Sequence, residues 1–199
     1  MQLVAAMFEP APIIVRAAET PAQPWRNGGG RTRELLTRPD GARAWVLRIS
    51  LAQVDRNGPF SAFPGVERWF SVLEGAGVRL ALQGRQHELR PGTAPLRFSG
   101  AVPVDCELID GATTDLNLMY AGGQGLMQLA QSGGSWRCAL PGRGLFTKVA
   151  GQWHMAGVAP VRLPAHCLLW LDDAGDTDWR FTADESTFGV PAIWLGHAP

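Results

Sequence analysis

Between Ala44 and Val54 the chain alternates with a period of two. Trp45, Leu47, Ile49 and Leu51 form one large apolar face, while Val46, Arg48, Ser50 and Ala52 form the other. Successive side chains of a strand point to opposite faces, so this pattern predicts a strand with one core face and one face of small residues around a single arginine. Shorter apolar pieces predict strands at 13–16, 33–38, 66–73, 78–82, 102–109 and 113–120, and Leu96-Arg97-Phe98 follows a further turn. Pro39-Asp40-Gly41, Glu74-Gly75-Ala76-Gly77, Gln83-Gly84, Pro91-Gly92 and Asp110-Gly111 read as the turns between them. Residues 55–59 read as a loop and Phe60 to Gly65 as an extended, punctuated segment. No segment of helical length carries apolar residues at a 3.6 period, so the expected class is all-β.

Ala121-Gly122-Gly123-Gln124-Gly125 predicts an internal boundary, after which the strand-turn rhythm starts afresh. Strands are expected at 126–130, 136–140, 145–149, 153–158, 166–171 and 179–181, with Pro141-Gly142-Arg143-Gly144 and the acidic run 172–176 as turns. Residues 1–120 and 121–199 read as two versions of one β-rich unit, either separate or intertwined.

Composition narrows the function classes. The 199 residues are 46% hydrophobic and 18% charged, enough to bury a core. The formal net charge is zero, which leaves no electrostatic footprint for nucleic acid. No apolar run reaches the roughly 18 residues of a membrane span, and Met1 to Phe8 lacks a basic n-region, so neither membrane insertion nor a signal peptide is expected. Cys106, Cys138 and Cys167 are odd in number and scattered, which reads as reduced thiols in a cytoplasmic protein.

The chemistry concentrates in Pro24-Trp25-Arg26-Asn27-Gly28-Gly29-Gly30-Arg31-Thr32-Arg33-Glu34. Three successive glycines allow positive φ and close approach to a ligand. Consecutive backbone amides in such a turn can form an anion-binding nest, and the neighbouring guanidiniums can grip a carboxylate through paired hydrogen bonds. A mobile loop with exposed charges is the competing reading.

A second cadence joins it. Arg68-Trp69-Phe70-Ser71-Val72-Leu73-Glu74-Gly75 leads into Leu89-Arg90-Pro91-Gly92 and Phe98-Ser99-Gly100, which resembles a cupin barrel. With Pro24 to Gly30, Thr32-Arg33-Glu34, Arg48 to Ala52, Gly58-Pro59-Phe60-Ser61, Phe63-Pro64-Gly65-Val66 and Asp115 to Met119, all in order, the chain resembles the HutD/Ves family over roughly residues 10–125. The resemblance implies a bicupin, two small β-barrels in one chain, associated with histidine utilisation. It also implies binding of a small carboxylate such as urocanate or a formylated glutamate, and a braking role rather than a catabolic one. Two positions depart from the family: Arg26 stands where a lysine is frequent, and Leu47 where an aromatic is expected before Arg48.

Arg48 is the strongest single candidate, because its face of the strand offers room beside Ser50 and Ala52. It either neutralises a ligand carboxylate or forms an internal ion pair with Glu34 or Glu67. Arg26 is the second proposed cation. Asn27 with Gly28, Gly29 and Gly30 would supply backbone donors, although Asn before Gly is also an ordinary turn residue. Asp115 and Asn117 share one strand face, either toward a ligand or toward solvent. Arg68 is a second cation or a surface residue, Trp25 a stacking platform or a loop anchor, and Thr32 completes the polar set.

No two histidines stand one residue apart, so no metal site and no cofactor are expected. Hydrolase elbows and phosphate loops are absent as well. Three function classes remain. The first is a non-catalytic carboxylate-binding protein that modulates histidine breakdown. The second is a metal-free cupin enzyme using Glu34 or Asp115 as acid or base, and the third is a regulator acting through protein contacts. A homodimer through a sheet edge is a further possibility.

Overall fold

The structure, a computed structural model, describes residues 11–41, 44–172, 177–185 and 189–199. Its strands are β1 (Ile13–Arg16), β2 (Ala22–Pro24), β3 (Gly30–Arg38), β4 (Leu47–Val54), β5 (Gly58–Pro59), β6 (Glu67–Glu74), β7 (Val78–Leu82), β8 (Arg85–Leu89), β9 (Leu96–Ser99) and β10 (Val104–Leu108). They continue as β11 (Thr113–Tyr120), β12 (Gln124–Ala130), β13 (Ser135–Trp136), β14 (Gly142–Thr147), β15 (Gly151–Met155), β16 (Val161–Leu163), β17 (Cys167–Asp172), β18 (Trp179–Ala183) and β19 (Ala192–Ala198). A single 3-10 turn at Ala17–Glu19 is the sole helical element among the described residues.

The strands form four sheets. A six-stranded sheet, β2-β3-β4-β11-β6-β9, faces a four-stranded one, β5-β10-β7-β8. Between them lies an apolar lumen of Val54, Phe70, Val72, Leu80, Phe98 and Val104, among others. A five-stranded sheet, β1-β17-β14-β19-β12, and a four-stranded one, β13-β18-β15-β16, enclose a second lumen rich in tryptophan. The first strand therefore pairs with β17, Ile13 opposite Trp170, so the chain begins in the sheet of the later strands.

The two large sheets pack against each other through Leu47, Ile49, Leu51, Leu116, Leu118, Phe146, Leu168, Trp170, Ile193 and Leu195. The alternation in β4 has this meaning. Its odd positions enter the layer between the barrels, and Arg48, Ser50 and Ala52 turn inward to the first lumen. Each fully buried Leu, Ile or Phe in that layer contributes roughly 1.5–3 kcal/mol.

Three expectations change. Pro141 to Gly144 is not a turn throughout: Gly142 already begins β14. A Cβ at Gly142 or Gly144 would meet the Trp170 ring at 2.6 Å, so these glycines let the indole lie flat on the strand. The strand expected over 136–140 shrinks to Ser135–Trp136. Five strands had no signal, β2, β5, β8, β16 and β19, and β19 sits inside a sheet between β14 and β12.

Candidate functional site

Three rows of side chains cross the inner face of the six-stranded sheet. Arg48, Met119 and Arg68 are register partners across β4, β11 and β6. Ser50, Asn117 and Phe70 form the next row, and Ala52, Asp115 and Val72 the third. Thr32 of β3 stands opposite Ala52, and Phe98 of β9 opposite Arg68. Part of this face is covered by the turn at Gln23–Asn27 and the extended segment Pro59–Phe63, leaving a pocket of about 620 Å³. That volume lies within the roughly 300–1,000 Å³ of small-molecule sites.

The structure gathers Trp25, Arg26, Asn27, Thr32, Arg48, Arg68 and Asn117 into this pocket. Trp25 donates its indole N–H to the Thr32 hydroxyl at 2.7 Å, which fixes the ring as one wall. Arg26 is exposed at the mouth. Arg68 is buried, 8% exposed, and donates through Nε to Asn117 Oδ1 at 2.8 Å. Its guanidinium lies 4.5 Å from the Phe60 ring centre and 5.5 Å from those of Phe70 and Phe98. Burial, with Arg48 adding to it and Asp115 opposing, lowers the Arg68 pKa from 12.5 to about 10, so it stays charged at neutral pH.

Five expected site residues sit differently. Glu34 does not line the pocket, and it accepts from Arg48 Nε at 2.8 Å. The lead candidate therefore carries the internal ion pair that was its competing reading, while its terminal amino groups remain for a ligand. Gly28, Gly29 and Gly30 are not pocket walls and do not form the expected amide cradle. The Gly28 amide donates to the Trp25 carbonyl and the Gly29 amide to Asn27 Oδ1, so both are used inside the turn. The run serves packing instead. Gly28 takes φ +66°, and a Cβ on Gly30 would lie 2.2 Å from the Gln53 carbonyl and 3.1 Å from the Trp25 ring.

Asp115 is also behind the pocket wall rather than on it. It is fully buried, and its Oδ2 accepts from the Thr113 hydroxyl at 3.0 Å while Oδ1 has no partner. Burial raises its pKa to about 7, against the opposing pull of Thr113 and Arg68.

Sequence reasoning missed Phe60 and Phe63, which form the apolar wall. Their signal was weak, since two phenylalanines in a Pro- and Gly-punctuated segment predict neither strand nor site. Arg68 could have been ranked higher: it shares its alternation face with Phe70 and Val72. Among the described residues no group of three or more His, Cys, Asp or Glu could hold a metal ion. A pocket lined by three guanidiniums also repels cations, so the site does not fit the metal that many cupins carry.

Fold and pocket together define a bicupin with a cationic, aromatic-walled cavity in its first barrel. Residues 17–188 match the HutD family, and the chain belongs to it. A conserved protein of unknown function from Pseudomonas aeruginosa PAO1 superposes with a TM-score of 0.85 at 32% identity, covering 95% of this chain and all of that one. HutD from Pseudomonas fluorescens SBW25 superposes with a TM-score of 0.78 at 27% identity over the same shares. An uncharacterized 21.2 kDa protein in the hutC 3′ region of Pseudomonas putida is 41% identical over 111 residues, 54% of this chain and 57% of that protein. The chain thus spans about half the length of the curated relatives it matches. At the level of fold alone, oxalate decarboxylase from Bacillus subtilis aligns with 94% of the chain, and 77% of that one, at a TM-score of 0.62 and 8% identity. No helix of the described residues is long and apolar enough to cross a membrane.

Proposed function

We propose that the first barrel binds a small organic carboxylate, with Arg68 as the principal anion receptor and without chemical conversion of the ligand. One observation carries the reading. Arg68 is buried to more than nine-tenths, lines the pocket, and makes one side-chain hydrogen bond and no ion pair among the described residues. A buried guanidinium without a bonded counter-charge is costly, and a bound carboxylate meeting its terminal amino groups in a paired fashion offsets that cost. Arg48 and Arg26 add positive charge, Ser50 and Thr32 offer hydroxyls, and Trp25, Phe60 and Phe63 suit a planar or apolar ligand body.

The gene region named for the Pseudomonas putida relative supports a ligand from histidine breakdown, urocanate or formylglutamate, and with it a modulatory role in that process. The acid–base alternative has less support. Glu34 is held by Arg48, and Asp115 does not reach the pocket.

Differential scanning of the purified protein with each compound tests this. At a ligand concentration roughly 100-fold above Kd the native state gains about 2.7 kcal/mol, a rise in midpoint of roughly 5–10 °C for a chain of this size. Arg68→Ala should abolish the rise and Arg48→Ala reduce it. An undiminished rise in Arg68→Ala removes the pocket from the reading, and turnover of either compound followed by NMR overturns the non-catalytic claim.

A further inference from the structure

A buried carboxyl group lies one step further along the sheet than the ligand pocket. Asp115 follows Asn117 and Met119 on the inner face of β11, about 7 Å along the strand from the amide that holds Arg68. Asp115 is fully buried, one oxygen is satisfied by Thr113 and the other by nothing. No ion pair joins it to Arg68, the cation that acts on it through space. An ionised carboxylate so placed would have neither solvent nor a bonded counter-charge, whereas a protonated one would leave Arg68 as the only full charge in that part of the lumen.

From this arrangement we propose that anion binding at Arg68 is coupled to proton uptake by Asp115. The proposal rests on the reading of the pocket as an anion site and names how that site is regulated. In the free protein, ionised Asp115 partly neutralises Arg68 through space. An incoming carboxylate brings a second negative charge to the same guanidinium, in a lumen of low polarity where like charges repel strongly. Protonation of Asp115 removes the conflict. The proton comes from solvent, and no covalent bond is made or broken.

The surrounding groups leave Asp115 as the titrating member. From β6 comes Arg68, which stays cationic across the neutral range. From β10 comes Cys106, whose thiol is pushed up to about 12 by burial and by Asp115, and which therefore stays neutral. From its own strand comes only the Thr113 hydroxyl. On β4 the partner is Ala52, with Arg48 two rows away and ion-paired to Glu34 of β3. The facing strands β7 and β10 contribute apolar Leu80 and Val104.

The sign follows directly. Burial sets the Asp115 pKa at about 7 in the free protein, and a bound anion raises it further. Affinity is therefore highest below the free-state value and falls as pH rises through the window between the free and bound values. A rise of roughly one unit on binding makes Kd roughly tenfold larger at pH 9 than at pH 6.

Titration calorimetry with formate and with N-formylglutamate between pH 6 and 9 tests this. Both probes are carboxylates whose own charge is constant over that range. The expected result is the tenfold loss, with net proton uptake near neutral pH shown by repeating the titration in buffers of different ionisation enthalpy. Asp115→Asn should bind with a Kd independent of pH. Should that variant not fold, the carbonyl carbon of Asp115 followed by NMR in the wild-type protein gives the same information, its pKa rising when formate is added. A flat Kd in the wild-type protein, or an Asp115 pKa unmoved by saturating formate, overturns the coupling and leaves the pocket reading standing. Absence of binding by either probe at every pH overturns both.

Discussion

The two barrels contain the same device and use it differently. Each holds a buried arginine over an aromatic ring: Arg68 lies 4.5 Å from Phe60 in the first, and Arg143 lies 4.7 Å from Trp179 in the second. Arg143 donates to both the carbonyl and the hydroxyl of Thr177, and indoles fill the space around it. Trp136 stacks on Trp194 at 4.8 Å, and Trp153 meets Trp179 edge-on at 4.9 Å. The first barrel is not filled in this way. Small residues, Ser50 and Ala52, line an open pocket there together with Arg68. The difference teaches that a buried arginine marks a binding site only where its neighbours leave it donors and room. The second barrel reads as a packed support for the first.

The largest expected effect tests that support role. Trp179 is fully buried and touches Trp136, Trp153, Trp194 and Arg143. Trp179→Ala should cost roughly 3–5 kcal/mol in urea unfolding, from lost burial plus the cavity left behind. Where the variant remains folded, formate should bind as in the wild-type protein. A cost below about 1 kcal/mol would show that the second lumen is not a close-packed core, and the contrast between the barrels would fail.

A smaller effect is expected at the glycine run that packs behind the Trp25 wall of the open barrel. Gly30→Ala drives a methyl group into the Gln53 carbonyl and the Trp25 ring, and relief requires β3 to move away from β4. The expected loss is roughly 1–3 kcal/mol together with weaker ligand binding, because the Trp25 wall shifts. Gly28→Ala meets nothing within 4 Å and suffers only its φ of +66°, about 1 kcal/mol. Equal costs at the two positions would show that the turn, and not the close packing against Trp25, is what needs glycine.

The first barrel was more legible than the second for a physical reason. Its strand β4 turns Arg48, Ser50 and Ala52 to a partly open pocket on one side and large apolar residues to the layer between the barrels on the other, so β4 shows clean alternation. In β19, Ile193 and Leu195 enter the layer between the barrels while Ala192 and Trp194 enter the second lumen. A strand buried on both faces has no period-two signal, and Gly196 further masks it. The glycines of β14 look like turn residues until the Trp170 ring they accommodate is known. Of the site, Arg48, Arg68 and Asn117 were readable from alternation, and Arg26 from the glycine-rich stretch. The Glu34–Arg48 pair was one of two alternatives the sequence left open at Arg48, and the Phe60–Phe63 wall was not readable, since it depends on which strands and loops the barrel brings together.

The smallest effect on stability decides the most about Arg48. Its pair with Glu34 is part-exposed, 17% for one side chain and 35% for the other, so Glu34→Gln should change unfolding free energy by less than about 1 kcal/mol. Its effect on binding should be larger. Glu34 competes with any incoming carboxylate for the same guanidinium, and its charge opposes the anion through space. With the charge removed and the shape kept, Arg48 can turn its full donor set to the ligand, and affinity for formate should rise roughly threefold to tenfold by calorimetry. A fall in affinity would mean that Glu34 instead holds Arg48 in its binding pose, as an orienting partner rather than a competitor. An unchanged affinity would place Arg48 outside the anion site and leave Arg68 as the receptor, with the open barrel then differing from the filled one by a single arginine.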